Sequence, residues 1–92
     1  MESEERVNPD RLLLLYPGET LPWLRRQLRL SKQAFAAWLG VPASVVARWE
    51  RRGSDIPMVF YLRLVPLLER YLATEEGRAF VRSLGQGEEE RG

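Results

Sequence analysis

Arginine and lysine carry most of the chemistry open to this sequence. Arg25, Arg26, Arg29, Lys32, Arg48, Arg51 and Arg52 fall between residues 20 and 57, where the only acidic residues are Glu50 and Asp55. A guanidinium offers a planar fork of N–H donors and an ammonium offers a point charge, so this excess describes a surface for anionic oxygens. The flanks are the reverse. Residues 1–19 hold Arg6 and Arg11 against five carboxylates, and residues 58–92 hold five arginines against six glutamates. A net charge of only +1 therefore conceals a basic centre between acidic ends, the distribution that a phosphate-binding surface requires.

Other chemistry is thin. The chain has no histidine and no cysteine, which removes imidazole acid-base catalysis, thiol nucleophiles and the commonest zinc ligands. Its carboxylates show no spacing that converges two of them on a site, so they read as solvated surface charge. Neither an enzyme nor a bound cofactor or metal is expected. The 92 residues suit one domain with a modest core. No run of about 18 apolar residues is present, and the start MESEER lacks the positive charge of a secretory leader. The expectation is a cytoplasmic protein without membrane association.

The elements that must position the cations centre on Leu30 to Glu50, LSKQAFAAWLGVPASVVARWE. Ser31 is placed to cap a helix over Lys32 to Leu39, its hydroxyl accepting an unpaired first-turn amide. Gly40 ends that helix because glycine enters the left-handed region without a side-chain clash. Pro42 then stands near the start of a second helix reaching about Arg51, where its missing amide is harmless. Phe35, Ala36, Leu39, Val41, Val46 and Trp49 fit the apolar seam between two steeply crossing helices, with Ala36 small where the second must come close. Trp38 and Trp49 are both expected to pack.

Around this centre, residues 1–8 read as a polar arm, 9–85 as one helical domain and 86–92 as a disordered acidic tail. Asn8 and Pro9 suggest a cap and first turn for a helix over Asp10 to Tyr16, although the run LLLLY also suits a strand. Pro17 and Gly18 break it. Thr20 is the expected cap of the next helix, with Leu21, Leu24 and Leu28 as its apolar stripe and Arg25, Arg26 and Arg29 elsewhere. Gly53 to Asp55 form a turn and Pro57 opens a further helix. Ile56 to Leu68 has Arg63 as its single charge. A domain this small has few elements to cover such a helix, so Phe60, Tyr61, Leu64 and Leu68 are expected at a dimer or partner interface. Pro66 should kink or break it near Leu64. Thr74 caps a last helix with Glu75 and Glu76 in its first turn, Phe80, Val81 and Leu84 apolar, and Gly85 at its end.

From Leu21 to Pro57 the chain resembles the phage-repressor-like helix-turn-helix family of the Cro or XRE type. The residues that carry the likeness are the leading LPWLRRQLR, the segment LSKQAFAAWLGV with Ala36 and Gly40, then Val46, the pair Trp49-Glu50 and the closing ARWERRGSDIP. The resemblance implies an all-α fold, a compact lambda-repressor-like bundle of about five or six short helices containing the helix-turn-helix at 31–51. It also implies a transcriptional regulator, a homodimer on double-stranded DNA with helix 42–51 in the major groove. The positions facing base edges would be Pro42, Ala43, Ser44, Ala47 and Arg48, of which Arg48 and Ser44 can hydrogen-bond. Lys32 and Gln33 match phosphate-contact positions, and Arg25, Arg26, Arg51 and Arg52 add charge for the same purpose. Glu50 would be structural, while Arg48 could instead be neutralised by it. Two departures stand out: the base-facing positions are poor in polar groups, and Gly53 and Pro57 each come one residue later than the common pattern. The competing expectation is a protein-interaction module, or an antitoxin-like partner protein, that keeps the fold without the DNA role.

Overall fold

Asn8 turns the chain into its first helix by accepting the Asp10 amide on Oδ1 at 2.9 Å, with Pro9 preset at the first helical position. The computed structural model describes residues 8–91, with side chains up to residue 85, and holds six helices and no strand among them. They are α1 (Pro9–Leu15), α2 (Pro17–Gln27), α3 (Lys32–Leu39), α4 (Ala43–Arg51), α5 (Met58–Leu72) and α6 (Glu75–Arg91), with a single 3-10 turn, Gly53–Asp55, between α4 and α5. The fold is all-α, and the leucines of LLLLY are helical, with Tyr16 the non-helical cap that follows them. Residues 1–7 of the expected polar arm lie outside the described residues.

Thr20 does not cap α2. Pro17 already occupies the first helical position, so the helix starts four residues earlier than expected and Thr20 lies inside it, fully buried. Its hydroxyl donates to the Leu12 carbonyl at 3.3 Å and ties α2 to α1. Leu21 and Leu24 join Leu13, Phe35, Val46, Trp49, Leu64 and Leu68 in one core, with Leu28 at its edge. The central layer is α2 against α3 and α4; α1 and α5 close over it, and α6 packs on α5.

The expected break near Leu64 is absent, for α5 runs unbroken through Pro66. The proline ring is exposed, and the carbonyl it leaves without a donor belongs to Leu62, itself exposed, so the lost bond lies on the outer side of the helix rather than in the core. The interface expected of this helix is corrected at Leu64 and Leu68. Leu64 and Leu68 are fully buried within the chain's own core, and Phe60 packs on Trp49 with ring centroids 5.2 Å apart. Tyr61 donates its hydroxyl to the Asp10 carbonyl at 2.7 Å. The residues left open are instead Met58, Val59 and Leu62, exposed at 69%, 62% and 65%.

Burial first, and then the Asp10 carboxylate, push the Tyr61 phenol above its ordinary value of 10.0. A proton held more tightly in the folded chain makes the neutral phenol the stabilising form. Its contribution is complete below pH 10.0 and is lost as pH rises through the raised value. Tyr61→Phe is expected to lower stability by about 1 kcal/mol at neutral pH and to flatten the alkaline loss, as read by urea unfolding across pH.

Thr74 caps α6 as expected, its Oγ1 accepting the Gly77 amide at 3.1 Å. Phe80 anchors the helix by stacking on Trp23, with centroids 4.6 Å apart and planes 8° from parallel. Gly85 does not end it: Gly40 is the one glycine with positive φ among the described residues, and α6 continues to Arg91 through the segment expected to be a disordered tail. No helix among the described residues is long and apolar enough to cross a membrane.

Candidate nucleic-acid interface

The pair α3 and α4 forms from local signals. Ser31 Oγ accepts the Ala34 amide at 3.1 Å, and Gly40 takes φ +84° and ψ +28°, where its amide and that of Val41 both return to the Ala36 carbonyl. Space around Gly40 is open, so the position demands glycine for its backbone angle alone. Pro42 is the residue before α4, and its carbonyl accepts the Val45 amide at 3.0 Å. Phe35, Ala36, Leu39, Val46 and Trp49 are buried between the two helices and α2, and Val41 is half-buried.

With Val46 and Trp49 turned inward, the outward face of α4 is set. Ser44, Arg48 and Arg51 are exposed at spacings of four and three, and Ala43 and Ala47 are half-buried beside them. Arg48 makes no hydrogen bond or ion pair among the described residues; the pairing with Glu50 does not form. Gln33 and Arg26 are exposed on the neighbouring elements, and Arg52 is held by Asp55 at 3.8 Å while remaining largely open to solvent.

Glu50 has a different role from a surface carboxylate. Its Oε1 lies 3.4 Å from Lys32 Nζ, and its Oε2 lies 4.0 Å from Arg25 Nε, so one side chain on α4 joins cations from α3 and α2. The side chains of Glu50, Arg25 and Lys32 are 13%, 20% and 40% exposed. Arg25 Nε and Glu50 Oε2 are buried with no hydrogen-bond partner, which leaves their attraction as charge across low-dielectric protein. Two of the five cations named from sequence as phosphate contacts therefore also carry a charge contact to Glu50 within the fold. Arg25 is turned inward as structural charge, and Lys32 shares its ammonium between Glu50 and solvent.

Trp38 also departs from expectation. Trp49 is buried, but Trp38 is 47% exposed, in contact with Phe35 at 6.0 Å between centroids and with the Arg63 guanidinium 5.5 Å over its ring. It follows Phe35 by three residues and precedes Leu39 by one, about 100° around the helix from the latter, which places it at the flank of the seam. Sequence reasoning counted Arg29 in the basic centre but missed its backbone, which adopts φ +62° in the turn between α2 and α3. Its signal was the position of a non-glycine residue just past a helix end. Among the described residues no cluster of three potential metal ligands occurs. In comparison with known proteins, no family model, no curated protein and no solved structure matches this chain.

Proposed function

We propose that this chain is a DNA-binding transcriptional regulator of the cytoplasm that lays α4 in the major groove of double-stranded DNA. The observation that carries the reading is the outward face of α4, where Arg48 and Ser44 are exposed and their side chains have no partner among the described residues while Val46 and Trp49 hold the helix from behind. The resemblance to the phage-repressor-like family supports it, as does the basic centre of the sequence. The reading calls for no cofactor and no catalytic group. Arg48 would pair with a guanine edge, Ser44 with a base or phosphate, and Ala43 and Ala47 with thymine methyl groups. Arg26, Gln33, Arg51 and Arg52 would meet phosphates.

Selection of bound fragments from random duplexes would supply a site, and fluorescence titration would then test it. Affinity should fall steeply with salt, and Arg48→Ala should reduce the preference for that site over mixed sequence about tenfold. Preference unchanged by the substitution would end the groove model.

Few polar groups face the bases, so a two-fold site read by a homodimer would add the missing specificity. Its face would be Met58, Val59 and Leu62, because Leu64 and Leu68 are already consumed inside. Sedimentation should give a dimer at micromolar concentration and a folded monomer for Leu62→Asp; a parent chain that stays monomeric would remove the dimer.

The second reading, an interaction module or antitoxin-like partner protein, is favoured by one observation. Leu14, Leu15, Trp38, Met58, Val59 and Leu62 are all large, apolar and exposed, and none lies on α4. Nuclease-treated pull-down that yields a stable protein complex, with no duplex binding by the isolated chain, would select it.

A further inference from the structure

Arg29 is the one residue other than glycine with a positive φ among the described residues. The backbone explains why that angle is needed. The Leu30 amide donates to the Arg25 carbonyl at 2.9 Å and the Arg29 amide to the Arg26 carbonyl at 3.0 Å, the paired bonds that close a helix end through one left-handed residue. Leu30 then packs on the core edge. The geometry does not explain why the residue is arginine. Glycine reaches the left-handed region without setting Cβ against a carbonyl oxygen, and the chain uses glycine for the same turn at the end of α3.

The side chain returns nothing to the fold. It is exposed, and among the described residues its guanidinium has no hydrogen bond and no ion pair. Its basic neighbours are occupied: Arg25, four residues earlier, and Lys32, three residues later, both turn to Glu50. Arg29 and Arg26 are the open cations at this corner. Arg29 stands in the turn before α3, two residues ahead of the Ser31 cap.

We infer that Arg29 is a contact to a DNA phosphate, a strained residue whose backbone conformation the fold carries for the sake of its charge. The inference rests on the DNA-binding reading. A phosphate contact is indifferent to base sequence, so a mixed-sequence duplex of about 20 base pairs is a sufficient probe.

Parent, Arg29→Gly and Arg29→Lys chains would be titrated with this duplex over a salt series and melted alone. Arg29→Gly should melt no lower than the parent, since it relieves the strained turn. It should lose about three- to tenfold in affinity at low salt, with the slope of log affinity against log salt shallower by about 0.9, the release of one phosphate contact. Arg29→Lys should keep the slope. Unchanged affinity and slope in Arg29→Gly, with the parent bound, would overturn the inference and leave the DNA reading intact. A lower melting temperature would remove its premise of strain. A parent chain with no salt-dependent binding would fail the DNA reading itself and the Arg29 contact with it.

Discussion

Gly53→Ala is expected to destabilise the chain by about 3 kcal/mol or more and to lower its melting temperature by at least about 10 °C. Gly53 begins the 3-10 turn after α4 and is buried beneath the end of α1. A methyl group there would collide with the Leu13 carbonyl oxygen, lie 2.9 Å from its carbon and reach within 3.0 Å of the Leu14 Cα. All three are backbone atoms, so no rotamer change makes room and α1 must lift from the core. The requirement at Gly53 is space, in contrast to Gly40, where it is conformation. Ser54→Ala, one residue on and exposed, should change stability little. A Gly53→Ala chain that melts with the parent would contradict the docking of α1.

Trp49→Ala is expected to cost about 3–5 kcal/mol, the range for removing a large buried aromatic. Trp49 is among the largest fully enclosed side chains, packs on Phe60 and holds α4 to the core beside Val46. Against a total stability of about 5–15 kcal/mol for a small domain, that loss leaves a substantial unfolded fraction. Urea unfolding followed by circular dichroism measures it. Trp38→Ala, at a half-exposed position, should cost no more than about 1 kcal/mol, and near-equal costs for the two would contradict their placement.

The parts legible in sequence are those decided within a few residues. Asn8, Ser31 and Thr74 each cap their helix because the partner amide lies two or three positions along the chain. Gly40 declares its turn by residue type. The outward face of α4 followed from the spacing of Val46 and Trp49. What sequence left hidden was settled by neighbours distant along the chain. Leu64 and Leu68 looked like an interface because one helix does not show how many others will cover it. Thr20 looked like a cap because its bond to Leu12 joins two helices. The ion pairs of Arg25 and Lys32 were hidden because their common partner, Glu50, stands on a third helix. Pro66 looked disruptive because only the folded arrangement shows which side of α5 faces water.

The hydrogen bond from Tyr61 to Asp10 also leads to an expected order of folding. Its partners stand 51 residues apart, so it closes a long loop, whereas α2, α3 and α4 meet through turns of a few residues. Loop closure of that length carries an entropy that only an assembled core repays. The consecutive helices are therefore the natural nucleus and the docking of α1 onto α5 a late step, and loss of this bond should show as faster unfolding at an almost unaltered folding rate.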